Sequence, residues 1–173
     1  MTRLAFARVP VRPPAGAIIT VLICLAVFAA RSSSALEQLD AAQLDALAGA
    51  SESVVVARAR QVNAAWATNE HGDRVIVSTA VLEVSETLKG RPLATRVMEF
   101  EGGTTEDVTL EVSDEPTVRT GDRAVFFLKG KRADREQPSV GEDAVLVLDD
   151  ADVVRGRGLH LDDIRSRMAR AGR

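Results

Sequence analysis

Two histidines, a serine near a glycine and four runs of adjacent acids are the residues of this chain whose types could do chemistry. A metal site needs convergent histidine, cysteine or carboxylate ligands at short spacings. His71 and His160 are the only histidines, stand far apart, and have no ligand pattern beside them. A nucleophilic serine on a strand-to-helix turn reads G-x-S-x-G; Ser139, two residues before Gly141, lacks that frame and reads as loop. The acids cluster as Glu106-Asp107, Glu142-Asp143, Asp149-Asp150 with Asp152, and Asp162-Asp163. Calcium loops alternate oxygen ligands around a turn glycine, which "LDDADVV" does not contain, so these acids read as solvated turns and a helix start. Glycosidase carboxylates are set by separation in space rather than in sequence, and nothing in the sequence singles out a pair. Gly156-Arg157-Gly158 lacks the third glycine and the βαβ context of a phosphate loop and reads as a tight turn. No catalytic residue, metal ligand or cofactor is therefore assigned.

Two places favour recognition over a purely structural reading. Trp66 is the only tryptophan and falls in a segment expected to be exposed, where tryptophan commonly anchors binding; capping an open end of the fold is the competing role. Gly102 and Gly103 open the segment "GGTTED", a candidate recognition loop that a glycine-rich hairpin explains equally well.

The elements that position these residues follow from periodicity. Leu36, Leu39, Leu44 and Leu47 approach helical spacing, predicting a short helix over Ala41 to Ala48 with Gly49 as its stop. "SVVVARARQV" predicts a strand from Ser53 to Val62, and "NAAWATNEHGD" an interruption strongest at Asn69 to Asp73. Arg74 to Glu86 is the longest predicted strand, leaving its sheet at Lys89-Gly90-Arg91-Pro92, where glycine accepts positive φ and proline lacks a ladder donor. "TRVMEFEGG" and "EDVTLEV" read as strands joined by glycines, "RAVFFLKGK" as the most apolar strand, and residues 131–143 as a solvated loop. "AVLVL" and "DVVRG" are short strand candidates. Leu161, Ile164 and Met168 share a helical face, with Asp162 and Asp163 in the first turn and arginines toward the end, as the helix dipole favours. The arginines at 165, 167, 170 and 173 read as a solvated helix face. Six or seven short strands with terminal helices predict an all-β fold, a small antiparallel OB-like β-barrel.

The first third reads differently. Residues 1–16 carry Arg3, Arg8 and Arg12 without an acid, and Ala17 to Ala30 is an unbroken run of 14 mostly apolar residues holding the single cysteine, Cys24. A basic stretch, an apolar core and then small residues describe a secretory signal peptide, with cleavage expected after Ala35. A retained anchor is the alternative, although ~20 apolar residues normally span a bilayer. The expected organisation is a leader over 1–35, a helical lead-in over 36–50, a barrel over 51–158 and a helix over 159–173. After Ala35 there are 25 acids against 18 bases, a net of −7. A nucleic-acid binder shows a basic face instead, so none is expected as a partner. Without cysteine after Ala35, that part must hold together by its core alone.

The succession "SESVVVARA", "VIVSTAVLEVSETLKG", "VMEFEGG", "VRTGDRAVFFLKG" and "LHLDDIRSRM", about Leu47 to Met168, resembles a set of secreted bacterial proteins of uncharacterised function. Their first strand resembles that of the netrin-like module, shared with the tissue inhibitors of metalloproteinases. The resemblance implies an OB-like barrel. It carries no inhibitory chemistry, because those inhibitors place an amino-terminal cysteine on the catalytic zinc and this chain has Leu36 after Ala35. The expected function is an exported, non-catalytic binding or interaction module of the cell envelope, recognising a protein or small ligand through the loops near Trp66, Gly102 and Gly103. An envelope hydrolase or protease inhibitor with dispersed carboxylates is the alternative, and a membrane-tethered structural protein a further one.

Overall fold

The computed structural model describes residues 39–69, 71–132, 135–139 and 141–171. The expected leader over 1–35, with Cys24, lies outside the described residues. Among the described residues two helices, α1 (Ala41–Ala50) and α2 (Leu161–Ala171), accompany eight strands: β1 (Ser53–Thr68), β2 (Arg74–Lys89), β3 (Thr95–Glu101), β4 (Gly103–Thr104), β5 (Thr109–Leu110), β6 (Arg123–Arg132), β7 (Arg135–Pro138) and β8 (Val145–Val147). The chain is β-rich, as expected. No helix among the described residues is long and apolar enough to cross a membrane.

One sheet carries the order β1-β2-β3-β7-β6-β8, with β1 also paired to β6; β4 and β5 form a separate two-stranded ribbon. The expectation of an antiparallel arrangement needs correction, because β3 and β7 run parallel through Met98 and Glu136. Strand directions require it: β3 is two reversals from β1 by way of β2, and β7 is two reversals from β1 by way of β6, so the two point the same way.

Apolar runs without alternation mark strands buried on both faces, and "VVVA" in β1 and "AVFFL" in β6 behave so. Val54, Val56, Val125 and Phe127 face a core shared with Leu44 of α1 and Leu161, Ile164 and Met168 of α2. Val55, Ala57, Phe126 and Leu128 face the second core, completed by Leu82, Met98 and Phe100. Register shifts in the β1–β2 ladder at Val54/Val55, Val56/Ala57 and Ala59/Gln61 bend and twist these two long strands, as bulges do.

A capping box starts α1: Asp40 accepts from the Gln43 amide at 2.7 Å while the Gln43 side chain accepts from the Asp40 amide at 2.8 Å. The helix passes Gly49 and ends at Ala50, two residues beyond the expected end at Ala48. Lys89, at the end of β2, donates its ammonium to Ala48 O and Ser51 O, each at 2.7 Å. A cation on the free carbonyls of a helix C-terminus is favourable in both charge and hydrogen bonding. Gly90 then turns with φ +89°, and a Cβ there would stand 2.7 Å from Glu52 O. The α2 helix is tied to β2 by Arg165, whose Nε and Nη2 donate to Glu86 Oε2 at 3.0 and 2.6 Å.

Three expected boundaries move. β1 continues through Trp66 to Thr68 instead of stopping at Val62, because Ala65, Trp66 and Ala67 pair with Val77, Ile76 and Val75 at the apolar start of β2; strand pairing overrides the weak propensity of the alanines. Asn69 then closes the turn, its Oδ1 accepting from the amides of His71 and Asp73. Of "EDVTLEV" only Thr109 and Leu110 are strand, paired with β4 alone. The expected loop over 131–143 contains β7 and a 3-10 turn over Glu142–Ala144.

Candidate functional site

The four sequence-adjacent acid groups are not where carboxylates converge. Glu106 and Asp107 lie exposed at the tip between β4 and β5. Asp143 takes Arg157 at 2.6 Å and Asp162 takes Arg165 at 2.8 Å. Asp149 accepts from the amides of Ala151 and Val153, both at 2.9 Å. Arg123 pairs with Asp152 and holds its carboxyl below the usual range, by hydrogen bonding first and charge second. His71 and His160 are exposed, and no group of three or more His, Cys, Asp or Glu positioned for a metal occurs among the described residues.

Convergence occurs instead where the end of β3 meets the 111–119 segment. Along β3, Met98 and Phe100 turn inward, which puts Glu99 and Glu101 on the opposite side. The 111–119 segment has almost no ladder of its own; its buried Pro116 and Val118 hold it against the sheet. Glu115 N donates to Val112 O at 3.1 Å, closing a turn that carries Asp114 and Glu115 toward β3. Ser139, directly after β7, is fixed by its amide to Phe127 O at 2.7 Å. These pieces, with Ala65, Ala67 and Val77 of the β1–β2 hairpin and Lys129 of β6, line a cavity of about 570 Å³.

Its charge is unbalanced. Glu99 is neutralised by Arg135, which also reaches Thr79 Oγ1. Glu101, Asp114 and Glu115 form no ion pair among the described residues, and Lys129 is the cation whose field reaches Glu115. Burial, and then the charge of Glu101, push the Glu115 carboxyl above its ordinary range; Lys129 opposes this and Asp114 adds to it. Glu115 Oε2 and Ser139 Oγ are both enclosed and have no hydrogen-bond partner among the described residues. Ser139 is 5 % exposed. Enclosing a polar atom without a partner costs about 1–3 kcal/mol, and two such atoms on residues that line one cavity make this the place where the fold is least satisfied.

Gly102 and Gly103 line a second cavity, about 780 Å³, that shares Phe100, Glu101 and Glu115 with the first. Their conformations demand glycine: φ is +99° and +125°, and a Cβ on Gly103 would stand 2.2 Å from Ser78 Oγ. Ser78 Oγ in turn donates to Gly102 O at 2.6 Å. Trp66, the third residue expected in recognition, lines neither cavity. It is 44 % exposed on β1, opposite Ile76, with the Arg74 guanidinium 4.3 Å from its ring centroid. The glycine pair is thus brought beside Glu115 and the tryptophan is not.

The sequence did not single out Glu101, Asp114, Glu115 or Lys129, and Ser139 read as loop. No spacing signals them, since they come from a strand end, an irregular segment, β6 and the residue after a charged four-residue strand. Compared with known proteins, the chain matches no family model, no curated protein and no solved structure at a significant level.

Proposed function

We propose that the chain is an exported, non-catalytic binding module built on an OB-like barrel, with the paired cavities around Glu115 as its recognition cleft. Support for the barrel is the circuit of pairings β1-β2-β3-β7-β6 and back to β1, five strands with one parallel contact, compatible with the partly open barrel of the OB class. Support for export is the basic and then apolar stretch over residues 1–30. The observation that carries the binding reading is the pair of enclosed, unpartnered atoms, Glu115 Oε2 and Ser139 Oγ, on two residues that line one cavity. Polar groups sequestered in a concave site fix the orientation of a ligand while the apolar wall supplies contact area.

A hydrolase is the second reading, favoured by the approach of Glu101 and Glu115 with the latter's proton held more tightly, the asymmetry general acid catalysis requires. The test is amide-shift mapping on protein isolated from expressing cells, its amino terminus read by intact mass. A chemically mixed panel of amines, sugars, dicarboxylates and short peptides is titrated in. Shifts concentrated at Glu101, residues 113–115 and Ser139 without change to the ligand support the binding module, and a start at Leu36 supports export. Conversion of a panel member, abolished by Glu115→Gln, would replace the reading with the hydrolase.

A further inference from the structure

We propose that the cleft takes an organic cation, an ammonium or guanidinium group on an aliphatic stem, carried by a small amine or by a basic peptide side chain. This rests on the reading of the cleft as a ligand site. The charge and the hydrogen-bond inventory select this class together. Among the described residues, Glu101, Asp114 and Glu115 line the cavity with no ion pair, against the ammonium of Lys129 and beside the imidazole of His71, because Arg135 is already engaged by Glu99. An anion meets repulsion there, and a neutral ligand leaves the excess charge uncompensated. Among the described residues no three ligands are grouped for a bare metal ion.

The second, independent observation is Ser139, which lines the same cavity, is 5 % exposed and has no partner at Oγ; Glu115 is partly exposed, and its Oε2 is enclosed and unpartnered too. Both oxygens accept hydrogen bonds, so the missing complement is a group with several donors. Ammonium has three and guanidinium five, and neither carries an acceptor to waste against carboxylates. Both oxygens are screened in the described conformation, so contact requires a side-chain rotation at Glu115 or Ser139. Ala65, Ala67 and Val77 supply an apolar wall along which a methylene stem lies while its charged head meets the acids. A cation beside Glu115 also offsets the repulsion from Glu101, so binding draws the Glu115 proton off and tightens as pH rises through mild acid.

The experiment is calorimetry combined with amide-shift mapping on the cell-derived protein, using agmatine, spermidine and an arginine-containing tripeptide. Glutarate and N-acetylglucosamine serve as anionic and neutral comparators. Agmatine or the tripeptide is expected to perturb Glu101, Asp114, Glu115 and Ser139 and to release protons. Glu115→Gln, which keeps the side-chain shape, is expected to weaken binding by about tenfold or more, and Ser139→Ala by less. Tighter binding of the tripeptide than of agmatine identifies a peptide source, and the reverse a small amine. Glutarate or N-acetylglucosamine perturbing the cleft while the cations stay silent overturns the cation class and leaves the cleft standing. Cation binding unaffected by Glu115→Gln overturns the placement of the cation against Glu115. Silence of the cleft toward every probe overturns both readings.

Discussion

Arg96 on β3 and Glu136 on β7 meet inside the fold as an ion pair, both residues buried, across the parallel contact between their strands. Arg96 Nη2 also donates to Arg91 O, while its Nε has no partner among the described residues. The pair lies beside Met98, so it fastens the short β7 to β3 at the one place where parallel pairing is brief.

Breaking that pair from one side leaves a buried charge. Glu136→Ala is expected to cost about 3–5 kcal/mol, and Arg96→Met together with Glu136→Leu markedly less, because an apolar pair removes both desolvation penalties. Urea unfolding of the two single variants and the double variant checks this. A double variant whose loss equals the sum of the two single losses would show that Arg96 and Glu136 are not coupled, and that their pair does not fasten β7.

Gly103→Ala is expected to destabilise by about 2–4 kcal/mol, summing left-handed backbone strain and overpacking against Ser78 and Ala64. Gly121→Ala, where φ is +95° but nothing lies within 4 Å of the new Cβ, should cost only about 1–2 kcal/mol. Thermal melts of both variants give the comparison. The Gly103 change should also loosen the hydrogen bond from Ser78 to Gly102 and so perturb the second cavity.

Trp66 and Arg74 are expected to be coupled to each other and not to the cleft. A double-mutant cycle with Trp66→Ala and Arg74→Ala should return about 0.5–1 kcal/mol, as for exposed cation–π pairs. As the single tryptophan, Trp66 should shift its emission in Arg74→Ala. Ligand affinity at the cleft should not change in Trp66→Ala; a loss there would restore this tryptophan as a recognition residue.

The long strands and both helices could be read from sequence because their signals are local: β-branched runs in β1 and β2, the apolar and aromatic run Ala124 to Leu128 in β6, and the Leu161-Ile164-Met168 spacing in α2. β7 could not. "REQP" has charge, amide and proline where a strand normally shows apolar alternation, and it is a strand because Glu136 finds Arg96 and because Gln137 and Pro138 pair with Lys129 and Leu128 of β6. The cleft was hidden for the same reason. Glu101 and Glu115 are 14 residues apart, each beside ordinary neighbours, and only the fixing of Pro116 and Val118 against the sheet makes them meet.

Glu115 should leave a pH signature in stability. Burial and the Glu101 charge raise its folded-state pKa above the unfolded value, so its contribution is fully present below the unfolded pKa and is lost as pH rises through the raised one. Glu115→Gln removes the ionisation and keeps the shape, so the variant should gain on the wild type as pH climbs from the unfolded pKa through the raised folded one, and then hold a constant lead. Paired urea unfolding across that range reads the difference directly, cancelling carboxylates such as Asp152 that shift the opposite way. A flat difference would mean that Lys129 already compensates Glu115 in full, and that its carboxylate sits in the cleft without strain.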